Sequence, residues 1–273
     1  MNRPLCLLML VLSGCDVPQD TASVVEITAA KPDSAETPDA KGKQGSPPPS
    51  QVPPQDQRRA TATNASSDKQ PRKRDATPQG HRLETLGASV ERNDEGEVVF
   101  LLLPLGSTIT DENLANLQEF AKLEVLVLGN SQIKDAGLRH LKGLTNLREL
   151  LLGDTQITDA GLPHLADLTK LKLLELNNTQ ITGAGLAALR KLTELEVLDI
   201  SYTQVGNSGL QHLAALRSLV RLGANYTRIT DSGLPQLAAL RSLQDLYLND
   251  TEITKGAIAR LHQTLPNCSI VKD

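Results

Sequence analysis

The side chains in this 273-residue sequence whose spacing best suits chemistry are histidines. His140 and His164 stand 24 residues apart, and His212 follows after a further 48. Imidazoles that recur on one surface can bind a metal ion such as zinc. However, the series skips Ala188, and neither a cysteine nor a carboxylate joins it at ligand spacing. We therefore expect no metal site and no cofactor.

Signals for catalysis and for nucleic-acid binding are weak. The sequence has no serine in a G-x-S-x-G motif and no phosphate-binding loop, and its acidic residues are spread along the chain rather than paired. The formal net charge is −4 and aromatic residues make up 2% of the chain. A nucleic-acid-binding face is basic and often uses aromatic side chains for base stacking. We expect neither an enzyme, nor a small-molecule substrate, nor a nucleic-acid partner.

The spacing of the histidines reflects a repeat of 24 residues, which is clearest at residues 147–170, LRELLLGDTQITDAGLPHLADLTK. We call each copy a coil and number its positions from 1 to 24. Seven consecutive coils, the first of them degenerate, begin at Val99, Leu123, Leu147, Leu171, Leu195, Leu219 and Leu243. A fixed period of this length predicts a solenoid, in which each unit is stable only when it is stacked on its neighbours.

Each half of the coil has its own apolar spacing. Positions 4 and 6, such as Leu150 and Leu152, alternate as in a short strand with one buried face. Positions 16, 19 and 22 have the spacing of one helical face. Thr158 and Asp159 at positions 12 and 13 offer oxygens that could cap the helix. The predicted fold is an α/β solenoid with a parallel sheet on one side and helices on the other.

The pattern L-x-x-L-x-L-x-x-T-x-I-T-D-x-G-L resembles the leucine-rich repeat family, above all its bacterial and ribonuclease-inhibitor-like variants, over residues 99–266. It departs at position 9, where many leucine-rich repeats have Asn and this chain has Ser or Thr. We expect these hydroxyls to bond turn backbone between neighbouring coils. The resemblance implies a horseshoe whose concave sheet binds other macromolecules, and it does not imply an enzyme.

Two short segments are expected to close the ends of the solenoid. Within residues 81–98, a helical turn over residues 81–86 stops at Gly87, and two strand-like runs flank the turn signal at residues 93–96. We expect a hairpin here that covers the open edge of the sheet, because an open edge invites aggregation. Residues 267–273 are expected to add a last strand at the other end.

Residues 1–14 have the shape of a secretory signal, with one Arg and an apolar run too short to span a bilayer. The ending Leu12-Ser13-Gly14-Cys15 resembles the bacterial lipobox, which implies cleavage before Cys15 and transfer of lipid, with acyl chains such as palmitate, to its thiol. Two or more acyl chains would anchor the chain stably. The alternative is a plain signal with a chance cysteine. Asp16 resembles the retention signal of some inner-membrane lipoproteins, and the choice between inner and outer membrane stays open.

Residues 15–80 are predicted to be a lipidated cysteine followed by a disordered tether. Most of the 15 prolines lie here and large apolar residues are few, so no core can form. Cys6 leaves with the signal and Cys15 is lipidated, which leaves Cys268 alone and excludes a disulfide within the mature chain. We expect a monomer in the bacterial cell envelope that faces the periplasm or the cell exterior.

The concave face contains the residues most suited to binding. If positions 4 and 6 point inward, positions 3, 5, 7 and 8 point out of the concave sheet. All three tyrosines then share this face, with charged residues beside them, and the predicted partner-binding residues are Tyr202, Tyr226, Tyr247, Arg221, Asp199, Asp245 and Glu175. Tyr and Arg often contribute most of the energy of an interface. Alternatively, the tyrosines merely fill strand positions that favour aromatic residues.

A second, apolar stretch is predicted on the same face, formed by Leu101, Leu103, Val125, Val127 and Leu151. It could be a second contact, or the N-terminal cap could cover it. The function that these observations favour is that of an envelope lipoprotein that binds a protein partner through its concave face. The alternatives are a structural module that holds a cell-wall polymer and an adaptor subunit of a degradation or signalling complex.

Overall fold

The computed structural model describes residues 83–85, 87–104, 106, 109–115 and 117–273. Nine strands form one sheet in chain order. An antiparallel hairpin of β1 (Ser89–Arg92) and β2 (Val98–Leu102) begins it, and each later strand pairs in parallel with the one before. These later strands are β3 (Val125–Val127), β4 (Glu149–Leu151), β5 (Leu173–Glu175), β6 (Val197–Asp199), β7 (Arg221–Gly223), β8 (Asp245–Tyr247) and β9 (Ser269–Val271). The predicted solenoid, parallel sheet and hairpin cap are confirmed.

Equivalent positions of successive coils stack into ladders, because neighbouring strands are shifted by one whole repeat. Leu150 pairs with Leu126 on one side and with Leu174 on the other. Positions 4 and 6 point into the core as predicted, and their side chains are 0% exposed from β3 to β8. Their apolar burial, together with the backbone bonds between coils, stabilises the stack as a whole.

Coil 1 is out of phase with this scheme, and the sequence-based assignment of its strand is wrong by one residue. Leu101 pairs with Leu126, so Leu101 and Leu103 occupy core positions and are 0% and 1% exposed. The prediction that these two leucines face outward on the concave sheet is therefore wrong. Coil 1 has one residue more between Leu103 and Asp111 than coil 2 has between the equivalent Leu128 and Asp135, which restores the phase further along.

The convex side consists mostly of 3₁₀ turns rather than of the predicted α-helices. Within the described residues, α-helix occurs at α1 (Asp135–Leu138), α2 (Asn207–Leu213) and α3 (Lys255–Thr264), apart from a helical turn at residues 83–85. The 3₁₀ segments are Asp111–Leu114, Leu117–Glu119, Arg139–Leu141, Leu162–Leu165, Gly185–Lys191 and Leu234–Ala239. A 3₁₀ turn rises about 2.0 Å per residue against about 1.5 Å in an α-helix, so it spans the coil with fewer residues. The apolar positions are buried as expected.

The Asp at position 13 joins its coil to the next one, a role that the sequence did not predict. The carboxylate of Asp159 accepts hydrogen bonds from the backbone N–H of Thr182 at 2.7 Å and from its hydroxyl at 2.6 Å. The same pair of bonds recurs between Asp135 and Thr158 and between Asp231 and Thr254. We call this contact the Asp–Thr clamp. Thr254 also caps α3, since its hydroxyl oxygen accepts from the N–H of Ala257.

The glycine at position 15 leaves room for this clamp. A Cβ on Gly161 would lie 2.5 Å from a carboxylate oxygen of Asp135, and a Cβ on Gly137 would lie equally close to Asp111. The junction between coils 4 and 5 is different, because Gly183 replaces the aspartate. There a Cβ on Gly209 would lie 2.7 Å from the Cα of Gly183. The two backbones therefore approach closely where other junctions hold a carboxylate.

From coil 2 to coil 7 the hydroxyls at position 9 bond within their own coil, so the expectation that they bridge neighbouring coils is wrong for these six residues. The Thr155 hydroxyl donates to the carbonyl oxygen of Leu152 at 2.6 Å, and Thr179 donates likewise to Leu176. Equivalent bonds occur at Ser131, Thr203, Thr227 and Thr251. Each closes the turn after its strand and satisfies a carbonyl group that is removed from solvent.

No helix among the described residues is both long enough and apolar enough to cross a membrane. The predicted signal peptide, the lipidation site at Cys15 and the tether up to residue 80 lie outside the described residues.

Candidate binding face

Tyr202 and Tyr226 stack on each other at the edge of the concave face. Their ring centroids lie 4.4 Å apart and the ring planes differ by 13°. This distance is close to the separation of neighbouring parallel strands, about 4.8 Å, because the two residues hold the same position in adjacent coils. The side chains nevertheless remain 54% and 47% exposed. Large aromatic side chains that stay this exposed are typical of an interaction surface.

The two tyrosines lie in turns, and neither is part of a strand. Position 8 follows the strand and adopts a left-handed conformation, with φ between 51° and 58° at Asn130, Asp154, Asn178, Tyr202, Tyr226 and Asp250. We call these six residues the turn row. Asn and Asp enter this conformation readily, whereas it strains a bulky side chain by about 1–3 kcal/mol. The placement of position 8 on the strand was wrong, and so was the interpretation that both tyrosines satisfy a strand preference.

Tyr226 is also held by its hydroxyl group. It donates a hydrogen bond to the carboxylate of Asp250 in the next coil, and this bond, with the negative charge of Asp250, raises the pKa of Tyr226 to about 12. At the other side of the pair, the amide nitrogen of Asn178 donates to Asp154 at 2.6 Å. The stacked rings therefore stand in a row that contains a carboxylate on each side.

Four further predicted partner-binding residues lie on strands β6 to β8 of the sheet. Arg221 on β7 and Asp245 on β8 form an ion pair, with a guanidinium nitrogen 3.2 Å from the carboxylate. Tyr247 is half-buried at the end of β8. The carboxylate of Asp199 leans over Gly223, where an added Cβ would lie 2.5 Å from its Oδ1 atom. Gly223 has no side chain and thus leaves a gap between Asp199 and Tyr247, and the carboxylate of Asp199 projects into this gap.

Glu175 lies on β5 of the same face, but it is buried rather than exposed. Its side chain is 6% exposed, and burial is the main reason that its pKa is raised to about 7. The carboxylates of Asp199, Asp154 and Glu149 raise this pKa further. Together with Glu175 these acids come from three different coils, so the structure gathers charges that the sequence spreads over some fifty residues. Glu175 therefore carries a proton for part of the time near neutral pH.

The predicted exposed apolar stretch is not present as such. Leu101 and Leu103 belong to the core, and Leu151 is 4% exposed. Only Val125 and Val127 are half-buried at the predicted outward positions of β3. On β2 the outward positions belong to Phe100 and Leu102, which are also half-buried.

Cys268 and the histidines in the described part of the chain take no part in this face. Among the described residues, no group of three or more His, Cys, Asp or Glu side chains could hold a metal ion. His140 accepts a hydrogen bond from Arg139, and its pKa is lowered mainly by burial. Cys268 is 3% exposed, and burial raises the pKa of its thiol to about 11. That thiol is protonated at neutral pH and is a weak nucleophile.

The family described as Leucine Rich repeat matches residues 143–166, 167–189 and 191–214. These three matches fall on coils 3 to 5, in phase with the strands β4, β5 and β6. Coils 3 to 5 match leucine-rich repeats, and the fold is a solenoid of that type. Leucine-rich-repeat domains are generally protein-interaction modules without catalytic activity. A search of curated proteins gave no match.

Solved leucine-rich-repeat structures resemble this chain in part. Internalin C2 from Listeria monocytogenes is 27% identical with a TM-score of 0.48, and the alignment covers 64% of this chain and 81% of the internalin. Internalin F from the same organism is 25% identical with a TM-score of 0.47, and the shares are 58% and 51%. A leucine-rich-repeat protein of Leptospira interrogans is 21% identical with a TM-score of 0.41, and the shares are 60% and 51%.

Proposed function

We propose that this chain is an envelope lipoprotein whose leucine-rich-repeat domain binds a protein partner through the concave face and its adjoining turn row. The stacked, exposed pair of Tyr202 and Tyr226 supports this proposal most strongly. Four other coils place Asn or Asp at the same backbone position. In coils 5 and 6 a tyrosine stands in this strained conformation and exposes an aromatic surface. Residues that depart from the backbone preference of their position in this way are typical of functional sites.

The surroundings of the pair suit an interface anchor. A stacked pair of rings offers a rigid, amphipathic contact area that loses little conformational entropy on binding. Tyr247, Arg221, Asp199 and Asp245 add polar groups on the neighbouring strands. Glu175 lies buried on β5, in register with Asp199. Binding here requires shape and a few anchoring residues and involves no turnover.

Replacing both tyrosines by asparagine tests the role of the pair. Asn already adopts the same conformation at Asn130 and Asn178. We therefore expect the free energy of unfolding of the Tyr202→Asn, Tyr226→Asn variant to equal that of the parent chain or to exceed it by about 1 kcal/mol. We expect it to lose the capture of a partner from an envelope extract, with the captured protein identified by mass spectrometry.

The matched control for this variant is Gln180→Asn with Gln204→Asn, which changes exposed residues at position 10 of coils 4 and 5, two residues after Asn178 and Tyr202. The control should capture the partner as well as the parent chain does. Equal capture by the tyrosine variant would contradict the proposal. Co-sedimentation of the parent chain with isolated cell wall, in the absence of any protein, would instead favour the polymer-binding alternative.

The lipid anchor is proposed from the sequence around Cys15. Cells that express the full chain and are fed a labelled palmitate should label it, and the chain should sediment with membranes. The Cys15→Ser variant should lose the label and leave the membrane fraction, because no second lipid-bearing residue is proposed. A parent chain without label, or a variant that stays with the membrane, would contradict lipidation at Cys15.

A further inference from the structure

The charge of the concave face is strongly one-sided. Across coils 3 to 7, positions 3, 5 and 8 carry six carboxylates and one cation; the carboxylates are Glu149, Asp154, Glu175, Asp199, Asp245 and Asp250. The cation is Arg221, and Asp245 already pairs with it. Burial is the main reason that the pKa of Glu175 is raised, and the carboxylates of Asp199, Asp154 and Glu149 raise it further, so these charges act on one another across coils. A ligand that brings positive charge would relieve this repulsion.

The tyrosine pair stands within this acidic surface. Asp250 accepts the hydroxyl of Tyr226 on one side, and Asp154 lies two coils before Tyr202 on the other. The face of a tyrosine ring attracts a cation within about 6 Å of its centre, and a carboxylate near the ring attracts the same cation by its charge. A guanidinium group suits such a site better than an ammonium group, because it is planar and can both stack on a ring and bond a carboxylate.

The turn row is rigid enough to present these groups at a fixed spacing. The N–H of each row residue from Asn130 to Tyr226 donates to a carbonyl oxygen of the next coil at 2.8–2.9 Å. Successive row residues are therefore separated by about the distance between strands, roughly 4.8 Å. Alternate side chains of an extended peptide lie on one face about 6.6–6.8 Å apart, so a peptide laid along the row could place several cations near its acids.

We propose, on the basis of the protein-binding function above, that the partner of this face is a basic segment that places an arginine side chain on the Tyr202–Tyr226 pair and further cations beside Asp154, Asp199 and Asp250. Charge complementarity selects the partner, and the aromatic pair distinguishes arginine from lysine. Glu175 would respond as well, because a nearby cation lowers its raised pKa and causes it to release a proton.

Binding of an oligo-arginine peptide to the full chain in detergent tests this proposal, with oligo-lysine and oligo-glutamate peptides of equal length for comparison. We expect oligo-arginine to bind about tenfold more tightly than oligo-lysine, oligo-glutamate not to bind, and the affinity for oligo-arginine to fall as salt rises. Near pH 7 the heat of binding should depend on the ionisation enthalpy of the buffer, because a proton is released. The Glu175→Gln variant should lose that dependence.

Two pairs of charge variants distinguish a built site from general attraction to an acidic protein. Asp154→Asn with Asp250→Asn should weaken oligo-arginine binding about tenfold, whereas Glu112→Gln with Glu119→Gln removes the same charge from exposed residues of coil 1 and should change it by roughly twofold or less. The Tyr202→Asn, Tyr226→Asn variant should bind oligo-arginine and oligo-lysine equally. Equal effects of the two charge pairs, or an unchanged arginine preference in the tyrosine variant, would overturn the proposal.

The same variants separate this inference from the proposed function. If a partner captured from the envelope depends on the tyrosines but oligo-arginine does not compete with it, the protein-binding function stands and the basic partner is wrong. If neither capture nor peptide binding depends on the tyrosines, both are wrong. Tyrosine-dependent binding of a neutral cell-wall oligosaccharide, with no effect of the carboxylate variants, would also overturn the basic partner.

Discussion

At pH 8 the free energy of unfolding of the Glu175→Gln variant is expected to be roughly 3 kcal/mol higher than that of the parent chain, so the variant is the more stable of the two. At pH 4 the two free energies are expected to differ little. Burial, with three neighbouring carboxylates, raises the pKa of Glu175 to about 7 in the folded chain, against 4.5 for an exposed glutamate. Between these values the folded state binds more protons than the unfolded state does. The contribution of Glu175 to the stability of the parent chain is therefore fully present below pH 4.5, and it is lost as the pH rises through 7.

Chemical unfolding of both chains across this range measures the effect. The difference between them should grow from pH 4.5 to pH 7 and then level off. Glu196→Gln is the control, because Glu196 is a half-exposed glutamate that pairs with Lys172 at 2.6 Å; its removal should change the free energy by about 1 kcal/mol or less. A pH-independent difference between Glu175→Gln and the parent would show that the pKa of Glu175 is the same in the folded and the unfolded chain.

The Gly209→Ala variant is expected to lose about 2–3 kcal/mol of unfolding free energy. The added methyl group would lie 2.7 Å from the Cα of Gly183 and 3.1 Å from a methyl of Val205. The first contact is with backbone, which cannot rotate away, so coils 4 and 5 would have to separate. Gly209 lies inside α2, where alanine is the better helix former by about 1 kcal/mol, and the steric cost must therefore exceed that gain.

Gly256→Ala provides the matched control, since Gly256 lies in α3 and an added Cβ would meet no atom closer than 3.8 Å. This substitution should raise the free energy of unfolding by up to about 1 kcal/mol. Urea unfolding of the two variants and of the parent chain measures these differences in the free energy of unfolding. If Gly209→Ala is as stable as Gly256→Ala, the close approach of coils 4 and 5 is not a constraint on the fold.

Periodicity was enough to predict the sheet and the buried positions 4 and 6, and turn residues were enough to predict the hairpin at its first edge. Those features depend on side-chain alternation and on turn residues, which are local properties of the chain. The phase of coil 1 was not predictable from the repeat, because the pairing of Leu101 with Leu126 depends on one extra residue further along. A shift of one residue in a strand exchanges its buried and exposed faces.

The sequence contains more of the geometry of the binding face than the positions of its strands. Gly, Asn and Asp recur at position 8 in coils 1 to 4 and 7, and this is the usual signature of left-handed backbone. It marks Tyr202 and Tyr226 as exceptions in a turn. By contrast, the burial of Glu175 and the clamp from Asp159 to Thr182 depend on which coils come to lie side by side. Sequence patterns within one coil do not contain that information.

The Asp–Thr clamps also determine which stretches of the chain can be copied or lost as units during evolution. Loss of coil 4 alone would set Asp159 against Gly206, which has no hydroxyl, and loss of coil 5 alone would set Gly183 against Thr230 and leave a gap. Loss of both, residues 171–218, would bring Asp159 opposite Thr230 with Gly233 beside it. That arrangement reproduces the present junction of Asp159 with Thr182 and Gly185. Coils 4 and 5 are therefore expected to be inherited as a pair, although the visible repeat is half that length.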